Sequence, residues 1–266
     1  MKIGVFDSGF GGLTVLRALL RHIPGVDYAY LGDTARLPYG AKSRATVARY
    51  ATSSARFLVE EEEAEFLVIA CNTASALALD AIHEAVSVPV LGVVETGANA
   101  ADASSTTRDV LVIATAATVE SHAYTAACAA RKLRAIEKAC PLLVPLVEEG
   151  WTQHPVTEEV VRIYMGELME QSRAANLNAD TLVLACTHYP LLRATIERAV
   201  PREVRVIDSA EVTAQQVAVQ LGSAGGSALC PQVEFFATDS VTKFRELGTQ
   251  FLGQAIPAVR LVVLGG

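Results

Sequence analysis

The sequence predicts an α/β protein made of two pseudo-symmetric, mostly parallel-sheet domains. Three observations carry this. Short apolar runs alternate with helical patterns along the whole chain, the pattern of parallel sheets covered by crossover helices. One run, Phe66-Leu67-Val68-Ile69-Ala70, is continuously apolar, as strands buried on both faces are, and stops at Cys71-Asn72-Thr73. Thr181-Leu182-Val183-Leu184-Ala185, stopping at Cys186-Thr187-His188, repeats it. Polar groups at the carboxyl ends of such strands stand where open α/β sheets place their ligands. One buried cysteine closing a strand would need no explanation. Two in equivalent places point to two similar halves, each offering a thiol.

The elements follow in order. Ile3 to Phe6 is a strand that breaks at Asp7-Ser8-Gly9-Phe10-Gly11-Gly12 before a helix from about Leu13 to His22. Pro24-Gly25 is a turn and Tyr28 to Leu31 the next strand. The connection Gly32 to Gly40 is longer than a minimal loop needs and is a candidate functional loop. Ser43 is placed to cap a long helix ending near Glu60-Glu61-Glu62-Glu63, an acidic run that reads as a solvated surface. After the Cys71 strand comes an alanine-rich helix to about Val86, then a strand from Val88 to Val94, punctuated by Glu95-Thr96-Gly97. The second half has a strand from Asp109 to Ala114, a turn at Thr115-Ala116-Ala117-Thr118, and a helix through Tyr124 and Cys128. Leu142 to Val147, with Pro141 and Pro145, reads as an edge strand or extended segment. Pro155 opens a helix to about Ala175, with Glu158 and Glu159 in its first turn. The Cys186 strand, a strand from Val204 to Ile207 and a helix opening at Asp208-Ser209 come next. A loop at Gly222 to Ser227, a strand from Val233 to Ala237, a helix from about Ser240 and a strand from Val259 to Leu264 complete the chain.

Composition narrows the classes of function. Of 266 residues, 51% are hydrophobic and 19% charged, which excludes disorder and fits well-buried sheets. No apolar run is long enough to span a bilayer. Met1-Lys2-Ile3-Gly4-Val5-Phe6 enters a strand directly, with no secretory pattern, and five cysteines form no paired framework. Both predict a reducing, cytoplasmic setting. A net charge of −7 argues against a nucleic-acid surface; an anionic ligand must then be held by local donors and dipoles.

Several chemistries can be weighed at once. G-x-G-x-x-G from Gly9 would need glycine where Thr14 stands, so no dinucleotide fingerprint is present. A turn needing φ > 0 accounts for these glycines, and a small anion near their N–H groups is a better expectation than a nucleotide. The five histidines show no paired ligand spacing and there is no C-x-x-C, so no metal is expected. His188 alone lies beside a strand-end cysteine, where an imidazole can exchange a proton with a thiol. A free thiol has a pKa of ~8.5 and is mostly protonated at neutral pH. Two symmetric thiols can take a proton from one face of a carbon and deliver one to the other, as stereoinversion requires. One thiol with His and Asp would suit a hydrolase.

Five blocks carry a family resemblance: Phe6 to Leu16, Leu37-Pro38-Tyr39-Gly40, Ala70-Cys71-Asn72-Thr73-Ala74, Pro145-Leu146-Val147-Glu148-Glu149-Gly150 and Ala185-Cys186-Thr187-His188-Tyr189-Pro190. In order and over nearly the whole chain, they resemble the signature blocks of the glutamate racemases, in the cofactor-independent Asp/Glu racemase family. Thr96 and Ala114 stand where that family commonly has proline and glycine. The resemblance implies a cytoplasmic enzyme, usually a homodimer, that interconverts L- and D-glutamate for peptidoglycan synthesis without a cofactor. It implies an active site in the cleft between two α/β domains; the punctuation at Glu95-Thr96-Gly97 and the elements that extend past the second cysteine motif set these at residues 1–96 plus 208–266 and residues 97–207. Cys71 and Cys186 become the acid/base thiols, the first acting on the D-isomer and the second on the L-isomer. Asp7 would assist Cys71, and His188, oriented by Glu149, would assist Cys186. Ser8, Pro38, Tyr39, Gly40, Asn72, Thr73, Thr115, Thr118 and Thr187 would contact the substrate. Aspartate or another small dicarboxylate is the alternative substrate, and a thiol hydrolase the alternative class.

Overall fold

The structure is a computed structural model that describes residues 1–222 and 231–265. Cysteine 230 and most of the Gly222 to Ser227 loop lie outside the described residues. The strands are β1 (Lys2–Asp7), β2 (Asp27–Gly32), β3 (Phe66–Ile69), β4 (Val90–Gly92), β5 (Asp109–Ala114), β6 (Arg134–Ala139), β7 (Thr181–Ala185), β8 (Arg205–Asp208), β9 (Val233–Ala237) and β10 (Arg260–Leu261). The chain divides into two units, Met1–Val93 with Ala210–Gly266, and Val94–Ser209.

The first unit holds a six-stranded sheet in the order β10-β9-β2-β1-β3-β4, parallel throughout. Its core strands are those that read as continuous apolar runs: β3 is buried at every position, and β1 from Ile3 onward. Each fully buried Val, Leu or Ile there contributes about 1.5–3 kcal/mol relative to exposure. The second unit holds a four-stranded parallel sheet, β6-β5-β7-β8. In each unit the first strand lies inside the sheet, the second on one side of it, the third on the other, and the fourth beyond the third. The two sheets therefore share one strand order, and Cys71 and Cys186 both follow the third strand.

Local chemistry explains most boundaries. Ser43 caps the helix Arg44–Arg56, accepting from the Thr46 amide at 3.4 Å. That helix continues through a π-helical turn, Phe57–Glu61, to the acidic run. Pro155 sits in the first turn of the helix Pro155–Ala174, where its missing N–H leaves nothing unpaired.

Some expectations are corrected. The alanine-rich helix is two, Asn72–Leu77 and Leu79–Ala85, broken at Ala78. Glu95-Thr96-Gly97 does not punctuate the chain but lies inside the helix Val93–Ser104. Gly97 serves contact there: a Cβ would meet the Tyr124 hydroxyl at 2.9 Å. Leu142 to Val147 is no strand; Leu143–Glu148 is a helix. Its Pro145 lies in the first turn, where a missing N–H removes no helical bond. An edge strand does lie nearby, β6, whose Arg134, Glu137 and Lys138 hid it from hydrophobic pattern. The glycines after Asp7 do not provide φ > 0. Gly12 has φ −61°, and a Cβ there would stand 2.5 Å from Asp7 Cβ and 3.0 Å from Ala70 Cβ. Close approach, not turn conformation, requires glycine at this place.

Candidate active site

Each unit places one thiol at a strand end, and each half-site is built by its own sheet. In the first unit β1 and β3 pair with Phe6 opposite Ile69, and the Ala70 amide continues the ladder to the Phe6 carbonyl at 2.8 Å. Ser8 and Cys71 thus leave the sheet side by side, and the Cys71 thiol donates to Ser8 Oγ at 3.5 Å. Cys71 also caps the helix Asn72–Leu77, its sulfur accepting from the Ala74 amide at 3.5 Å. Asp7 is buried, with Oδ2 accepting from the Gly9 amide at 2.8 Å. Burial, then the nearby Asp7 charge, pushes the Cys71 thiol up to about 12, against the pull of Ser8 and the Ala74 amide. This sulfur is therefore a thiol at neutral pH.

Asn72 and Thr73 lie buried in the first turn of that helix. The short turn Tyr39–Ala41 packs against the same helix. The Tyr39 hydroxyl donates to Asp33 Oδ2 at 2.5 Å, which leaves the main chain of Tyr39 and half-buried Gly40 as the donors the turn can present; Pro38 is exposed. Two residues without an expected role hold this arrangement. Tyr30 donates to the Gly9 carbonyl at 3.1 Å, and Asp33 takes Thr238 Oγ1 at 2.9 Å on its other oxygen. Asp33 directly follows β2, one residue past the partner of Asp7, so the strand-end rule could have found it.

In the second unit β5 and β7 pair with Ala114 opposite Ala185, so Thr115 and Cys186 leave the sheet together, the counterparts of Ser8 and Cys71. Thr115 Oγ1 and Thr118 Oγ1 are 3.0 Å apart. The Cys186 sulfur lies 3.9 Å from His188 Nδ1, with Thr187 Oγ1 at 3.4 Å from the same nitrogen. His188 Nε2 meets Glu148 Oε1 at 3.1 Å. The ring's partner is therefore Glu148; Glu149, the residue expected there, is exposed. The helix Leu143–Glu148 buries Leu143 and Val147, which leaves Glu148 at the edge of its inner face and turns the next residue away. Burial alone would lower the His188 pKa, but hydrogen bonds to Cys186 and Glu148 outweigh it and raise it to about 10. The ring is an imidazolium at neutral pH. Behind it the Tyr189 hydroxyl reaches the carbonyls of Cys140 at 3.0 Å and Ala114 at 3.1 Å, tying β5 and β6 to the Cys186 turn. Tyr189 belongs to a signature block, yet nothing in its sequence neighbourhood marks this bracing role.

The half-sites are alike in topology and unlike in charge. One thiol has a carboxylate beside it, the other an imidazolium. Among the described residues, no group of three or more His, Cys, Asp or Glu is arranged to hold a metal ion, and no helix is long and apolar enough to cross a membrane.

A sequence profile described as Asp/Glu/Hydantoin racemase matches residues 3–217. A glutamate racemase from Koribacter versatilis is 52% identical, covering 99% of this chain and 98% of the relative. The crystal structure of glutamate racemase isoform RacE1 from Bacillus anthracis superposes with a TM-score of 0.90 at 36% identity, over 98% of this chain and 96% of that one. The glutamate racemase of Francisella tularensis, solved in complex with D-glutamate, gives 0.88 at 34% identity, over 98% and 97%.

Proposed function

The chain belongs to the Asp/Glu/hydantoin racemase family and is a racemase, and from that premise we propose that it interconverts L- and D-glutamate with two cysteines as acid and base. One observation carries the reading. The third strand of each sheet ends in a buried cysteine with a hydroxyl beside it and an ionisable partner, Asp7 or His188, within the same half-site.

The electrostatics give each thiol a starting role. The Cys71 thiol, pushed up to about 12, holds its proton at neutral pH and is the donor. Cys186, whose sulfur lies 3.9 Å from His188 Nδ1 while Glu148 holds the ring's other nitrogen, takes the acceptor role. In the L-to-D direction, Cys186 takes the Cα proton and Cys71 delivers its own to the opposite face. In the reverse direction the roles exchange. Burial that raises the Cys71 thiol also makes its thiolate a stronger base, as removal of a weakly acidic Cα proton requires. Ser8, Asn72, Thr73, Thr115, Thr118, Thr187 and the main chain at Tyr39-Gly40 supply neutral donors for the carboxylates, consistent with a net charge of −7. Glutamate is preferred over aspartate because a shorter side chain leaves buried donors unpaired. The proton work assigned to the two sulfurs requires neither pyridoxal phosphate nor metal. We place the enzyme in the cytoplasm as a homodimer, with D-glutamate passing to peptidoglycan synthesis.

The experiment is isotopic. With L-glutamate in deuterated water, early D-product should carry deuterium at Cα while unreacted L-substrate keeps protium. A single base serving both faces would return some original hydrogen to the product, and a hydrolase would leave Cα unlabelled. Protium-rich D-glutamate at initial rate refutes the two-thiol mechanism.

A further inference from the structure

The turn that presents Tyr39 and Gly40 is gripped from outside the site by a largely but not fully buried cation, Arg36. Its side chain is only 12% exposed, and a guanidinium removed from water is costly unless each side of it is met. Four contacts surround it, the one at Nη1 being an ion pair without a hydrogen bond. Nη1 stands 3.6 Å from Asp33 Oδ2. Nη2 donates to the Leu264 carbonyl at 2.7 Å and the Gly265 carbonyl at 3.2 Å. Its Cζ lies 4.6 Å over the Tyr50 ring, a distance at which a cation is attracted to the aromatic face.

These partners either hold the turn or abut it. Asp33 accepts the Tyr39 hydroxyl. Tyr50, on the helix Arg44–Arg56, packs its ring 6.1 Å from that of Tyr39. The segment 262–265 is fixed at one end by β10 pairing with β9 and by the Val262 amide on the Ala237 carbonyl at 2.9 Å. At the other end Ser53 donates to the Gly265 carbonyl at 3.4 Å. Arg36 therefore joins the loop after β2 and the nearby helix Arg44–Arg56 to the last described residues, more than 200 positions away. Lysine could not replace it, because a point charge cannot serve two carbonyls and lie flat on a ring together.

We propose that Arg36 is a positioning residue that clamps the Tyr39-Gly40 turn in its substrate-binding geometry, with residues 264–265 as its anchor. The claim rests on Tyr39 and Gly40 contacting substrate as proposed above. Arg36 touches no reacting atom; it sets the pose of main-chain donors that bind either enantiomer. Loss of such a clamp weakens ground and transition states together, so KM rises and kcat holds.

The test uses the full chain with Arg36→Met, Arg36→Lys and Tyr50→Leu, and two readouts. The first is hydrogen exchange at the Lys42 amide, which donates to the Tyr39 carbonyl at 3.0 Å and so reports opening of the turn without reference to activity. The second is KM and kcat for both enantiomers of glutamate. Arg36→Met should speed Lys42 exchange and raise KM about tenfold in both directions, with kcat within about twofold. Arg36→Lys and Tyr50→Leu should fall between it and the parent, and they carry the test if Arg36→Met does not fold. Faster exchange with unchanged KM, raised KM with unchanged exchange, or a fall in kcat at constant KM each overturns the proposal. If the parent enzyme does not turn over glutamate, the proposed function fails while the exchange readout still decides whether Arg36 clamps the turn.

Discussion

Two buried ionisations set the character of the candidate site, and they are opposite in kind. Cys71 is kept neutral by burial and by the Asp7 charge, whereas His188 is kept charged by Cys186 and Glu148 despite burial. The sign of the Asp7 effect can be tested. A neighbouring negative charge opposes thiolate formation, so Asp7→Asn should move the Cys71 titration, followed by thiolate absorbance near 240 nm, below about 12. It should remain above the ordinary thiol value of ~8.5, because burial persists. An unmoved midpoint would mean that Asp7 carries no charge beside the sulfur. The His188 shift has a consequence for stability. Its folded pKa is raised, so its contribution is complete below the unfolded value near 6.5 and is lost as pH climbs through about 10. Between those values the melting temperature should fall with pH more steeply in the parent than in His188→Asn. Parallel slopes would contradict a buried imidazolium.

Strand ends were the most legible elements in the sequence. Phe66 to Ala70 and Thr181 to Ala185 are apolar without interruption because both faces are covered, and their polar stops mark where each sheet opens to chemistry. β6 was illegible for the converse reason. An edge strand keeps its charged residues, and Arg134-Ala135-Ile136-Glu137-Lys138 carries no apolar face strong enough to register. The segment after it was legible only in part. Pro141 and Pro145 argue against a strand interior and equally permit a first helical turn, so local pattern could not choose. That ambiguity mattered, because the secondary structure decides which of two adjacent glutamates reaches His188. The helix gives the contact to Glu148. Glu148→Gln should therefore lower kcat roughly tenfold or more by removing the carboxylate that keeps the imidazole charged and oriented, while Glu149→Gln stays within about twofold of the parent. The reverse ranking would place the phase of this helix in error.

At the scale of the molecule, one strand order is used twice while the chemistry attached to it differs. Ser8 and Thr115 occupy the same place beside their thiols, but Asp7 corresponds in register to Ala114, and the second unit recruits an imidazole from the turn after its third strand instead. Duplication legible in the sequence thus gave the positions of both thiols, and the divergence came from side chains whose partners only the fold reveals. Under the proposed mechanism the two thiols act as a unit, and the effects of removing them should not add. Cys71→Ser or Cys186→Ser alone should reduce racemisation about a thousandfold or more, since a serine hydroxyl is a far weaker acid than a thiol, while D-glutamate binding measured by calorimetry is retained. The double variant should be no slower than the slower single one. If its loss instead equals the product of the two single losses, the cysteines contribute independently. If either single variant keeps near-normal turnover, that cysteine only closes a buried strand and the two-thiol assignment falls with it.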